Sequence, residues 1–363
     1  MTDNPWTEKL TATLCPKGYI RFKVVRLSGM LELAFCRRQL FSSINGIESE
    51  RTKTGLGGWW GNKGGICIRF DLNGINICII NSHLAAHRDQ TPERIIDHNS
   101  ILEDQKFRDD DVDNILDHDY VLWMGDLNFR IDELQREDVL TRIEKKEYDY
   151  LLQYDQLNNT RRQGLAFVDF QEGPITFPPT YKFDVDTNVY DTSEKQRIPA
   201  WCDRILWLVH DDSFDGVPLE VKQLHYRHHP EYKISDHRPV TSLFEVKMLS
   251  VPPNPLPVTF HNQGQWTIRR DAVVKYSVAV YEASSWDWIG LYKANFTDVQ
   301  DYVSWVYAVP DAQKLKKPAQ VRFTNLDDLK SSIERKHLLL YISSYKNTML
   351  GMSNEFLVSI IIS

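Results

Sequence analysis

The chain has no apolar stretch long enough to cross a bilayer. Its longest runs, such as LVSIII near the C-terminus, fall far short of the roughly 20 residues a membrane helix needs. An apolar signal region is also missing, because the N-terminus, MTDNPWTEKL, is polar. Cysteine is scarce: the five present (Cys15, Cys36, Cys67, Cys78 and Cys202) are odd in number, scattered and without a CxxC pair. That pattern argues against a disulfide framework and points to reduced thiols in a cytosolic protein. Positive charge is in deficit as well. A formal net charge of −7 argues against a general nucleic-acid binder, which needs a broad basic surface. A phosphate-bearing ligand would therefore have to meet a local basic cluster. No internal repeat or low-complexity tract is evident.

What remains is an ordinary soluble composition, 42% hydrophobic and 26% charged, in 363 residues, enough for two domains with separate cores. A proline-rich run, VPPNPLP at 251–257, cannot extend a sheet and marks the boundary. Upstream, ICIRFDLNGINICIINSHL alternates around Asn73 and Gly74, which predicts a hairpin. Thr91 and Pro92 predict a capped helix through ERIIDHNSILEDQKF, and residues 134–157, rich in Glu, Lys and Leu, predict further helix. Strands alternating with helices imply an α/β or α+β domain over 1–250. Downstream, AVVKYSVAVY, DWIGLYKA, VSWVYAV, QVRF, HLLLYIS and EFLVSIII follow at short intervals, which predicts a β-sandwich over 258–363.

Three short stretches carry the chemistry: WMGDLNFR (123–130), PAWCDRIL (199–206) and SDHRPV (235–240). After the apolar run Tyr120 to Met124, Gly125 permits a bend, and Asp126 and Asn128 share one side of an extended chain. A carboxylate able to take a proton from water, beside an amide able to hold water or a phosphoryl oxygen, is a plausible nucleophile-activating pair. An isolated strand-end turn would look the same, so the other motifs matter. Asp236 offers the hard oxygen that Mg²⁺ prefers. His237 beside it could donate a hydrogen bond to developing negative charge, with Asp203 fixing its tautomer. Jointly these describe a metal-assisted phosphoesterase. The histidine-rich run HYRHHPEY lacks zinc-like ligand spacing and reads as a polar loop.

This series resembles the inositol polyphosphate 5-phosphatase family, and TGLGGWWGNKGG (54–65), NSHLAAH (81–87) and FPPTYKFD (177–184) agree with it in order. The resemblance implies a DNase I-like endonuclease/exonuclease/phosphatase sandwich flanked by helices. It also implies Mg²⁺-dependent removal of the 5-phosphate from phosphoinositides such as PI(4,5)P2 and PI(3,4,5)P3, with soluble inositol polyphosphates as further candidates. It assigns Asp126 as general base, Asn128 to the water or phosphate, Asp236 to the metal, Asp203 and His237 to an orienting dyad, and His83 to a second phosphate contact. Tyr181, Lys182, Lys195 and Arg197 form the expected basic cluster and would hold a neighbouring 4-phosphate; Asn62 and Lys63 would contact the 1-phosphate. Trp59 and Trp60 suit either a membrane interface or a core. SSWDWIGLYK and DYVSWVYA (284–293 and 301–308) resemble the SKICH domain, an immunoglobulin-like sandwich, with their tryptophans expected in its core. SKICH domains imply protein partners and recruitment from the cytoplasm to the endoplasmic reticulum and plasma membrane. The expected partners are phosphoinositide headgroups and proteins, with no nucleic acid and no transmembrane segment.

The family pattern also places an asparagine and a Gln-Glu pair, whose glutamate binds magnesium, ahead of these motifs. Gln171 and Glu172 lie too late in the chain to supply them, and Asp3 and Glu8 do not replace them. The expectation is that the missing strands lie upstream of Met1. Two alternatives stay open: a nuclease or sphingomyelinase of the same superfamily, and a non-catalytic SKICH-based adaptor.

Overall fold

Residues 64–70 of the chain are buried without interruption, as expected of a strand covered on both faces. In the computed structural model they belong to β4 (Trp60–Leu72), inside a five-stranded sheet ordered β3 (Ile44–Thr54), β4, β5 (Ile75–His83), β6 (Tyr120–Asp126), β7 (Asp203–Val209). The structure describes residues 5–359 apart from 110, 211, 212, 215, 250–255, 269, 280, 282, 325 and 327–334. The expected linker at 251–257 therefore lies mostly outside the described residues.

β5 and β6 run parallel, and the other neighbours are antiparallel. The turn at Asn73 and Gly74 has φ of 53° and 83°, the left-handed pair that a tight hairpin demands. One face of the sheet packs Cys67, Cys78, Ile80, Val121 and Trp123 against Ile101 of the helix Thr91–Asp104 and against Leu127, Phe129 and Phe167. Gln90 rather than Thr91 holds the N-cap position of that helix, without a side-chain cap; the Thr91 hydroxyl instead accepts from Arg94 at 2.9 Å, and the helix stops at Asp104. The stretch expected to be helical near 134–157 is broken into Arg136–Glu144, Tyr148–Leu151 and Gln156–Arg162.

The opposite face is covered by two hairpins, β1 (Tyr19–Leu27) with β2 (Met30–Arg37), and β8 (Val221–His228) with β9 (Val240–Val246). These form separate two-stranded sheets.

From residue 258 the chain forms a β-sandwich. One sheet is β10 (Val258–Phe260), β12 (Ala272–Val278) and β15 (Ala319–Phe323); the other includes β11 (Trp266–Thr267), β13 (Trp288–Lys293), β14 (Tyr302–Tyr307), β16 (Lys336–Ser343), β17 (Thr348–Met352) and β18 (Phe356–Ser359). The tryptophans expected in its core lie elsewhere: Trp286 and Trp305 are 67% and 42% exposed, and Trp288 is partly buried against the cluster of the first domain, whereas the tryptophan buried against Phe323 and Phe356 is Trp266.

The two sandwiches share a core. Along β16, Leu339 and Tyr341 face the second sandwich's interior, while Leu338 and Leu340 alternate onto the first, joining Tyr292, Phe296 and Met349 against the cluster of Ile20, Phe22, Phe41 and Ile44. Polar contacts seal the junction. Thr348 Oγ1 donates to the Ile44 carbonyl at 2.7 Å, Arg108 Nη1 to that of Tyr345 at 3.1 Å and the Arg21 amide to that of Thr297 at 2.9 Å, and the Arg21 side chain pairs with Asp298.

Leu340 is fully buried at this junction, so Leu340→Ala should cost about 2–5 kcal/mol. Near-UV circular dichroism and limited proteolysis should report one common unfolding transition, shifted down. Two separate transitions, with only the second moved, would show that the halves are stable independently.

Candidate active site

Backbone register builds the site. Gly64 lies opposite His83, His83 beside Asp126, and Asp126 opposite Asp203, so one row across four strands brings these side chains together at one end of the sheet. Two glycines permit the close pairing. A Cβ on Gly125 (φ 137°) would lie 2.0 Å from the Ser82 carbonyl oxygen, and one on Gly64 (φ 141°) 2.0 Å from that of Thr52. No other residue fits there.

Asp126 is the hub. Its Oδ2 lies 3.2 Å from His83 Nε2 and 3.9 Å from His237 Nε2, and His83 Nε2 also meets Lys63 Nζ. Burial alone would raise the pKa of Asp126, but the His83 hydrogen bond and the His237 charge outweigh it and hold the carboxyl below its ordinary value. Asp203 holds His237 from behind: Nδ1 is 3.0 Å from Oδ2, and Thr180 Oγ1 donates to the same oxygen at 2.7 Å. Burial disfavours a charged His237, yet the carboxylates of Asp203, Asp126 and Asp236 prevail and push its pKa up to about 9. The imidazole is thus protonated at neutral pH, and the geometry expected of the dyad is present.

Asn128 sits differently from its expected role. It is buried with φ 56°; its Nδ2 donates to the Leu84 carbonyl at 3.0 Å, and its Oδ1 accepts from Arg130 Nη2 at 2.5 Å. Its own amide N–H donates to Asp126 Oδ1 at 3.1 Å. Asn128 therefore braces Asp126, with its side-chain amide already committed. Asp236 lies at the rim, where its Oδ2 accepts from Lys182 Nζ at 2.9 Å. Its carboxyl, too, is held below the ordinary value: the Lys182 bond and the His237 charge overcome the opposing effect of partial burial. Among the described residues, the metal-ligand atoms that converge belong to Asp126, Asp203 and His237. A protonated His237 is no ligand, and Asp203 is engaged with it. Asp236, the expected metal residue, does not converge with them, and its Oδ2 is engaged by Lys182. Glu172 is tied instead to Arg204, at 2.6 Å, and to Tyr226.

The expected basic cluster divides. Lys195 and Arg197 line a pocket of about 470 Å³ with Tyr181, Arg130, His87 and Arg88, whereas Lys182 turns to Asp236. Arg130, Arg88 and Thr180 were not assigned roles from the sequence. Arg130 lies within WMGDLNFR and Thr180 within FPPTYKFD, whereas Arg88 directly follows NSHLAAH. Asn62 is exposed next to Lys63, and Trp59 and Trp60, 84% and 62% exposed, stand beside them outside any core.

The sequence profile of the Endonuclease/Exonuclease/phosphatase family 2 matches residues 1–243, and that of the SKICH domain matches 258–358. Mouse inositol polyphosphate 5-phosphatase K is 38% identical over 99% of this chain and 78% of its own length. The chain belongs to the inositol polyphosphate 5-phosphatase family. Rat phosphatidylinositol 4,5-bisphosphate 5-phosphatase A is 37% identical over 98% of the chain, which spans only 36% of that relative. The solved 5-phosphatase domain of SPsynaptojanin, in complex with inositol (1,4)-bisphosphate and calcium, superposes with a TM-score of 0.59 at 39% identity, covering 67% of this chain and 69% of that one. A Cimex nitrophorin ferrous NO complex also superposes, with a TM-score of 0.55 at 25% identity over 68% of this chain and 83% of that one. Fold alone therefore does not fix the chemistry, which has to be argued from the residues of the site.

The His237 assignment has a pH consequence. A group whose pKa rises from about 6.5 unfolded to about 9 folded contributes stability that is complete below pH 6.5 and lost as pH rises through 9. Wild-type stability should fall across that window relative to His237→Gln in urea titrations, and the His237 ring should titrate near pH 9 by NMR. A ring that titrates near 6.5 would sink the assignment.

Proposed function

We propose that this site removes the 5-phosphate of phosphoinositides such as PI(4,5)P2 and PI(3,4,5)P3, and of soluble inositol polyphosphates, with Mg²⁺ as cofactor. The observation that carries this reading is the row His83–Asp126–Asp203 capped by protonated His237, opening beside a separate basic pocket. The relatives' names as 5-phosphatases support it.

In this mechanism Asp126, held ionised, orients the attacking water and takes its proton as the new P–O bond forms. The His237 imidazolium, fixed by Asp203, donates to a phosphoryl oxygen as charge develops there, and His83 with Lys63 contacts another. Asn128 keeps the Asp126 carboxylate aimed. Mg²⁺, for which Asp236 is the proposed ligand, would supply neutralisation of charge on the phosphoryl oxygens. Tyr181, Lys195 and Arg197 receive the neighbouring 4-phosphate, Lys182 stands at its edge, and Asn62 and Lys63 meet the 1-phosphate. The exposed Leu56, Trp59 and Trp60 by these residues, with Tyr232 and Ile234 beside His237, suit a mouth pressed against a lipid surface. Residues 1–250 are the hydrolytic unit in this reading. The SKICH unit (258–363) contributes protein partners and recruitment from the cytoplasm to the endoplasmic reticulum and plasma membrane. No helix among the described residues is long and apolar enough to cross a membrane.

With Mg²⁺ present, phosphate release is expected from PI(4,5)P2 and not from PI(3,4)P2, and Asp126→Ala should lower it by roughly 10²–10⁴-fold. Equal release from both lipids would remove the 5-position assignment. Release from neither would favour a SKICH-based adaptor.

A further inference from the structure

Arg130 belongs to the hydrolytic motif and to the neighbouring-phosphate pocket at once. It is 9% exposed, its Nε donates to the Asn128 carbonyl at 3.0 Å, and its Nη2 donates to Asn128 Oδ1 at 2.5 Å. Its guanidinium lies 4.2 Å from the centre of the Tyr181 ring, and it lines the same pocket as Lys195 and Arg197. Two features make this more than a structural clamp. No carboxylate among the described residues lies within ion-pair distance of Arg130, and the carboxylate whose charge acts on this nearly buried cation is that of Asp126. Its Nε and Nη2 are both spent on Asn128, and the Tyr181 side chain is a further partner of the guanidinium, so its contacts link Asn128 to the wall of the pocket.

We propose that Arg130 is a positioning residue through which a phosphate bound beside Tyr181, Lys195 and Arg197 aligns Asn128, and through it Asp126. The inference rests on reading that pocket as the seat of the substrate's second phosphate. A phosphate oxygen bound by the guanidinium beside Tyr181 fixes its plane on that ring. Fixing the plane fixes both bonds to Asn128. Asn128 in turn holds Asp126 Oδ1 through its amide N–H and the Leu84 carbonyl, next to His83, through its side chain. Recognition of the second phosphate is thereby converted into alignment of the hydrolytic carboxylate. Such binding energy appears in kcat rather than only in KM.

The test uses the full chain, with inositol 1,4-bisphosphate and inositol 1-phosphate as probes and the Asn128 side-chain amide as an NMR reporter. The bisphosphate should shift that amide and the Arg130 Nε–H, and the monophosphate should leave both in place. In Arg130→Lys the bisphosphate should still bind, within about tenfold, but leave the Asn128 amide unmoved. Tyr181→Leu, which removes the ring and its hydroxyl but keeps both bonds to Asn128, should weaken the same response and serves as the second variant if Arg130→Lys loses its fold. In turnover, Arg130→Lys should bring kcat for a 4,5-bisphosphate down to that for a substrate carrying the 5-phosphate alone, at nearly unchanged KM. An Asn128 amide that responds equally to both probes, or still responds in Arg130→Lys, would overturn the coupling. So would an equal loss of kcat on both substrates. Absence of 5-phosphate release by the wild type, with the Asn128 response intact, would instead count against the proposed reaction.

Discussion

Two carboxylates face each other across adjacent strands, Asp126 on β6 and Asp203 on β7, and everything else at the site follows from how that repulsion is relieved. Like charges directly opposite in a sheet are destabilising, and burial makes the pair costlier still. The proton on His237 resolves it, because the ring is bonded to Asp203 and its far nitrogen points toward Asp126. A neutral imidazole would leave the pair unrelieved. The electrostatic need of the fold and the chemical need for a charged donor are therefore the same need.

That solution works only if the loop bearing His237 cannot drift. Tyr181 bridges both His237 and Ala200, which ties the loop to the strand carrying Asp203. Arg238 is buried, donates to the Ser235 carbonyl at 2.8 Å, bonds the Thr187 carbonyl and lies over the Phe183 ring. Beneath β7, Arg204 is sealed between Asp155 at 3.0 Å and Glu172 at 2.6 Å. Breaking such a buried network costs several kcal/mol, so the register that aligns Asp126 with Asp203 is held by residues that never touch the pocket. The sequence motifs PAWCDRIL and SDHRPV each combine a chemical residue with the arginine that anchors it.

The chemical residues were legible in the sequence because each sits beside a strand-like apolar run, and strand periodicity predicts which way it points. The Asn73–Gly74 hairpin was legible for the same local reason. Asn128 was half-legible: its presence in the motif stood out, but its commitment to Leu84 and Arg130 depends on a left-handed backbone and a partner 44 residues away. The exposed Trp286 and Trp305 could not be told from core tryptophans, because strand alternation gives two faces without saying which of them a second domain covers. HLLLYIS held a clue to the shared core. A half-exposed strand should alternate, whereas this one is apolar throughout, because Leu338 and Leu340 bury on one side and Leu339 and Tyr341 on the other.

The shared core has a geometric consequence for the whole molecule. His83, Asp126, Asp203 and Lys63 lie at one end of the sheet. The SKICH contacts made by Ile44 and Arg21, like the register partner Leu72 opposite Ile44, lie at the other. From Lys63 to Leu72 is nine residues along β4, about 30 Å of extended chain. A membrane that meets the apolar rim around Trp59 and Trp60 is thus met by the hydrolytic pole. The SKICH sandwich is fixed at the opposite pole by packed side chains. The continuous core therefore sets the pose of one pole relative to the other.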